Sequence, residues 1–318
     1  MGRVTARRLP ATLALAGAVA IGVMTAVQAR INGQLGVRLE DGFVAAVVSF
    51  GSGLVLLVVL SATLPSGRAG FGRLIGGVRA RRIPWWMLAG GAAGALTVAT
   101  QGLAVGLIGV SLFTVGVVAG QTVSGLLLDR VGFGPAGVVA VTVPRLVGGA
   151  LALAAVALAL VGDGLTGIPA WMAVLPVVAG AGIAWQQATN GRLRQRVGTP
   201  LTATLVNFTG GTALLAVAAA VHVGVLGAPA PFPTEPWLYL GGVIGVVYIA
   251  LGAAIVQYTG VLLLGLGAVV GQLCTSLVLD LVWPAPAGPG LGQELAMVVV
   301  ALASVGVAAA PWRRLGAR

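Results

Sequence analysis

Apolar stretches close to twenty residues long recur along the whole chain, separated by short polar or glycine-rich interruptions. A helix rising 1.5 Å per residue needs about 20 mostly apolar residues to cross about 30 Å of hydrocarbon. Ten stretches meet that requirement: residues 11–29, 43–64, 85–107, 109–128, 138–161, 169–188, 200–223, 237–258, 261–282 and 290–310. Gly106 and Gly109 alone divide the third from the fourth, and Gly260 divides the eighth from the ninth. The pattern predicts an all-α membrane protein of ten transmembrane helices.

Composition agrees. Of 318 residues, 58% are apolar and 8% charged, with a mean hydropathy of +1.05, far too little charge to wet the surface of a soluble enzyme. One cysteine, Cys274, and one histidine, His222, exclude a disulfide framework and a Cys/His zinc cluster, so no metal or cofactor is expected.

All 18 basic residues are arginine, and their placement tests the helix count through the excess of positive charge on cytoplasmic loops. With a cytoplasmic amino end, the inner segments hold Arg3, Arg7, Arg8, Arg68, Arg73, Arg79, Arg81, Arg82, Arg130, Arg145, Arg192, Arg194, Arg196, Arg313, Arg314 and Arg318. The outer loops hold only Arg30 and Arg38, beside Glu40 and Asp41. The net charge of +11 therefore reads as topology, with both termini cytoplasmic. A nucleic-acid surface is disfavoured, because the arginines are divided among short loops with little aromatic interleaving. The first apolar run, ending Ala26-Val27-Gln28-Ala29, has the look of a cleaved secretory signal. An internal segment with the same ending makes a retained helix the better reading.

That segment belongs to a repeat. At a shift of 158, Gln28, Asn32-Gly33, Leu35, Phe50 and Gly53 fall on Gln186, Asn190-Gly191, Leu193, Phe208 and Gly211, with Ser49 on Asn207. At a shift of 151, Trp86, Gly90, Gly94, Gly116, Gly120-Gln121 and Asp129 fall on Trp237, Gly241, Gly245, Gly267, Gly271-Gln272 and Asp280. Residues 1–162 and 163–318 thus form two units of five helices, and an odd number of crossings inverts the second relative to the first. Many secondary transporters follow this plan, with the substrate site near the midplane.

The Q-x3-N-G-x-L ending of helix one, the S/N-F-x-x-G of helix two and the G-Q-x7-D of helix four, each present twice, resemble the YdcZ-like proteins of the drug/metabolite transporter (EamA-like) superfamily. The resemblance spans nearly the whole chain. It implies a multi-pass transporter of the bacterial inner membrane, an exporter, in a family whose half-length members pair as these halves do; a homodimer is compatible with it. Its partners would be the lipid bilayer and a small-molecule substrate. Arg145, which opens helix five, has no arginine counterpart near Gln293 and Glu294, so any role for it is asymmetric. Small multidrug-resistance transporters of the same superfamily use a glutamate in helix one for proton exchange, whereas residues 11–29 contain no acid.

Gly90 and Gly94, Gly116 and Gly120, and their copies Gly241, Gly245, Gly267 and Gly271 form small-xxx-small faces suited to close helix packing. Amide side chains within hydrocarbon must find partners, so they either join helices or line a cavity. Gln121 and Gln272, two turns inside Asp129 and Asp280, are the leading substrate-binding candidates together with Gln28, Gln186, Asn207 and Trp185; Gln101, Gln187 and Gln257 complete the buried amides. Asn32 and Asn190, each followed by glycine, read as helix C-terminal caps. Asp129 and Asp280 fall at opposite faces of the membrane and cannot form an aspartyl dyad; Asp129 is within reach of Arg145 as a structural or gating pair. His222 reads as a boundary histidine and Glu294 as a solvated one. The chain lacks a phosphate-binding G-x4-G-K-[ST] loop. A transporter of a neutral, zwitterionic or amphipathic solute follows, with a lipid flippase or scramblase and a non-transporting scaffold as the alternatives.

Overall fold

The computed structural model describes residues 11–159, 170–283 and 291–310, and these contain helices, turns and no strand. The helices are α1 (Ala11–Leu39), α2 (Gly42–Thr63), α3 (Pro65–Arg79), α4 (Gly90–Thr100), α5 (Gly106–Arg130), α6 (Val143–Ala159), α7 (Ala170–Val197), α8 (Pro200–Leu226), α9 (Gly241–Val282) and α10 (Leu291–Ala309). A π-helical turn, Gln101–Val105, joins α4 to α5. Six helical stretches among the described residues are long and apolar enough to cross a membrane. The chain is a helical membrane protein.

α9 is not a straight rod. Its 42 residues would extend about 63 Å, twice the hydrocarbon thickness. Gly260 breaks it with φ 73 and ψ 174, a left-handed conformation that glycine adopts without steric cost. The chain then turns back: Gly252 packs on Ile21, and Ala268 lies against the neighbouring Gly22. Two residues sixteen apart meet one turn of α1 only if the helix reverses between them. The path from α4 to α5 also doubles back, since Ala93 packs on Gly182 while Val117 abuts Gly180.

Tight corners connect α1 to α2 and α7 to α8. Glu40 (φ 52) and Gly198 (φ 76) take the left-handed conformation, and the next residue caps the following helix. Asp41 accepts from the Phe43 and Val44 amides, and Thr199 from the Leu201 amide. Both preceding helices run past the apolar stretches read from sequence. α1 continues to Leu39 because Leu35 and Leu39 are buried with Ala45 and Leu238; α7 continues to Val197 because Leu193 and Val197 are buried with Ile83, Met87 and Ala203.

The arginine-rich segment read as a loop between helices two and three is instead largely the helix α3. Pro65 starts it, and its Gly70 sits against Thr199 and Thr202 at the α7–α8 corner, where the Arg73 Nε donates to the Val197 carbonyl at 2.6 Å. Phe71, Ile75 and Val78 stay exposed, an apolar face next to three arginines. Helix five begins at Val143 rather than 138, because residues 131–142 form an irregular strap. Arg192 secures it by donating to the carbonyls of Gly132 and Phe133.

α1 packs along α9 and α7 along α5, while α2 and α8 meet at the centre. There Phe50 and Phe208 are almost wholly buried and stack with ring centroids 4.7 Å apart.

Candidate functional site

Close helix approach creates the site. A Cβ on Gly120 would fall on the Val177 carbonyl oxygen, and one on Gly271 on the Val19 carbonyl. Gly116 fits over Pro176 and Gly267 over Ala18, so both faces are occupied by a helix at backbone distance. Gly94 lies beneath the Gln186 amide and the Phe50 ring, Gly245 beneath the Gln28 amide and the Phe208 ring. Gly90 faces Asn190, and Gly241 faces Asn32. The missing side chains make room for the amides.

These amides divide into two groups. Gln28 is satisfied at both ends: its Nε2 donates to the Gly241 carbonyl at 2.7 Å, and its Oε1 accepts from the Tyr248 hydroxyl at 2.8 Å. Asn32 Nδ2 donates to Gln101 Oε1 at 2.8 Å, within the π turn. Gln186 Nε2 donates to Asn207 Oδ1 at 3.3 Å, and Asn207 Nδ2 to Asn190 Oδ1 at 3.4 Å. This group links helices. The buried carbonyl oxygens of Gln121, Gln187 and Gln272 have no hydrogen-bond partner among the described residues, and within the first group Asn32 Oδ1 and Gln101 Nε2 also lack one.

All three glutamines line one narrow cavity, walled by Ile21, Thr25 and Gln121 from the first half and by Gln186, Gln187, Asn190, Tyr248 and Gln272 from the second. Its free space is about 20 Å³, room for one water and no metabolite. A smaller cavity behind it shares Thr25, Ile183 and Gln272 and reaches Gln101. Of the sequence candidates, Gln121, Gln186 and Gln272 meet at the main cavity, whereas Gln28, Asn207 and Trp185 do not line it. Trp185 is half-buried on α7. Tyr248 lines the cavity but carries no sequence signal: the repeat pairs it with Thr97, whose hydroxyl donates to its own helix at Ala93.

Asn32 and Asn190 do not cap helices. Both are buried in mid-helix, with Gly33 and Gly191 behind them admitting Val105 and Val256 at close range. The helix ends lie seven residues further on in each case, at Leu39 and Val197.

At the end of α5, Asp129 is buried and Arg145 from α6 lies 3.4 Å from its Oδ2. Asp129 Oδ1 accepts from the Val261 amide at 2.8 Å and Oδ2 from the Leu262 amide at 3.1 Å. The carboxylate thus caps the helix that restarts after Gly260. Asp280, near the end of α9, is half-buried and lies nineteen residues beyond Val261 on the helix that Asp129 caps. His222 is not a free boundary residue: its Nδ1 lies 2.9 Å from Asp41 Oδ2, tying α8 to the start of α2. No group of three or more metal-ligating side chains exists among the described residues.

The family described as "Putative inner membrane exporter, YdcZ" matches residues 13–158 and 171–308. This chain belongs to that family. No curated protein matches the sequence. As a YdcZ-family protein it is a helical inner-membrane protein of the exporter type, and two of the three paired motifs that carried the resemblance, those on α1 and α7 and on α5 and α9, lie on helices that line the amide cavity.

Proposed function

We propose that this YdcZ-family protein is a ten-span secondary transporter that exports a small, hydrogen-bonding solute by rocking two inverted five-helix halves about the amide cavity. The observation that carries this reading is an exchange of contacts between the halves. Val19 against Gly271 is matched by Val177 against Gly120, and Gly22 against Ala268 by Gly180 against Val117. Gln28 over Gly245 is matched by Gln186 over Gly94, and Asn32 over Gly241 by Asn190 over Gly90. In each match one partner moves by 158 and the other by 151, as a two-fold relation between repeats requires. Phe50 and Phe208, themselves a repeat pair, touch each other, which is possible only beside such an axis. The two separate stretches matched by the family lend further support.

The cavity lies between the halves, where binding sites of inverted-repeat transporters occur. The Gln121, Gln187 and Gln272 amides make no side-chain hydrogen bond among the described residues and can both donate and accept, so a bound solute would contribute hydrogen-bonding groups, with apolar parts against Ile21, Ile183 and Ile249. No carboxylate lines it, which favours a neutral or zwitterionic solute over a strongly charged one. With room for one water, the cavity of the described conformation is too small for a metabolite, and transport requires the halves to part. The glycine faces supply smooth contacts for that motion.

The test is efflux from proteoliposomes loaded with a mixture of amino acids, amines and polyols, read by mass spectrometry. Wild-type protein exports at least one component, and a Gln121→Ala, Gln272→Ala double variant that still elutes as folded protein exports it at least tenfold more slowly. Unchanged flux removes the site assignment.

A further inference from the structure

Two arginines, Arg30 and Arg38, stand apart from the sixteen that match a cytoplasmic placement, and both line one crevice of about 570 Å³. Its other walls are Val27, Ile31 and Gln34 from α1, Leu279 and Trp283 at the end of α9, and Trp237 just before α9 begins. Val27, Arg30, Ile31, Gln34 and Arg38 follow helical spacing, so they form a single stripe of mixed apolar and polar groups along α1. The crevice is far larger than the central cavity and falls in the range of ligand sites.

We propose that this crevice binds the headgroup of one anionic phospholipid, with its acyl chains running down the seam between α1 and α9. Three observations converge on a phosphodiester carrying a single charge. Arg38 is paired with Glu235 at 3.1 Å, while half-buried Arg30 makes no ion pair or hydrogen bond among the described residues, leaving the crevice one positive charge. Gln34 adds an amide between the two guanidinium groups, and arginine forks match phosphate oxygens. Trp237 and Trp283 are 46% and 57% exposed and flank the crevice, as indole rings do at headgroup level. Below them Val27, Ile31 and Leu279 offer apolar walls to acyl chains, which a free anion would not use. Basic pockets between membrane helices hold anionic headgroups by the same chemistry.

The experiment is native mass spectrometry of the full-length, delipidated protein in detergent, titrated with dioleoylphosphatidylglycerol, with dioleoylphosphatidylcholine, or with phosphatidylglycerol in the presence of inorganic phosphate. Wild-type protein should bind one phosphatidylglycerol at least tenfold more tightly than phosphatidylcholine, with little effect of millimolar phosphate. Arg30→Ala should weaken that first binding event at least tenfold, and Arg38→Ala less, because Glu235 already occupies its guanidinium. Should Arg30→Ala fail to elute as folded protein, Gln34→Ala on the same stripe is expected to weaken it about threefold. Equal affinity for the two lipids, unchanged affinity in both the Arg30 and Gln34 variants, or displacement of the lipid by phosphate alone would overturn the proposal.

Discussion

Asp129 holds three groups together: the Arg145 guanidinium and the two amides that open the helix after Gly260. Removing the carboxylate leaves a buried cation and two unsatisfied N–H groups. Asp129→Ala should therefore cost about 3–5 kcal/mol of stability, as breaking a buried pair does. Thermal or denaturant unfolding in detergent measures it, and a double variant with Arg145→Ala should lose less than the sum of the two single losses. Additive losses would mean that the pair is not coupled. The sequence brought Asp129 within reach of Arg145, because the two close adjacent spans. It contained no hint that the same carboxylate caps residues 132 positions away, since the cap depends on how α9 packs against α5. Asn32 and Asn190 show the opposite failure. An Asn-Gly pair after an apolar run reads locally as a helix end, but burial of Leu35, Leu39, Leu193 and Val197 carries both helices through it.

At the scale of elements, the reversal at Gly260 was legible because the apolar run is too long for one crossing and contains a residue free to adopt positive φ. α3 was not. Five glycines in fifteen residues lower helix propensity, and its arginines matched the signature of a cytoplasmic loop. Its docking against the α7–α8 corner through Gly70 and Arg73 is tertiary. The glycines of α3 are therefore not equivalent. Nothing lies within 4 Å of a Cβ at Gly72 or Gly76, so alanine at either should stabilise the helix by about 0.5–1 kcal/mol. Gly70→Ala would push into Thr199 and Thr202 and should undock it. Hydrogen exchange of α3 amides distinguishes the cases: slower in the first two variants and faster in the third. Unchanged exchange in Gly70→Ala would show that α3 is held by something other than this corner.

Over the whole molecule, close contacts at Gly94, Gly120, Gly245 and Gly271 recur at the sequence shifts of 158 and 151, as the proposed relation between the halves would require. Residues that depart from the proposed relation were not legible in the sequence. Tyr248 replaces Thr97 at the cavity, and His222, whose counterpart is Leu64, grips Asp41 on one side only. Such differences carry no periodic signal and become visible only when the helices are assembled. The arginine distribution makes its own prediction about orientation. A green fluorescent protein fused after Arg318 should fluoresce, and alkaline phosphatase fused at the same point should be inactive, since both report a cytoplasmic carboxyl end. The reverse pattern would invert every inside and outside given above.

The single-residue turn at Gly260 also bears on how the protein is made. A chain entering the bilayer normally takes its direction from charges in the loops that flank each span. Between the arms of α9 there is no loop to carry them, and no arginine lies between Arg196 and Arg313. Flanking charge therefore offers the two arms of α9 no separate direction signals, and the nearest arginines that could orient them belong to the segments before and after, at Arg196 and Arg313.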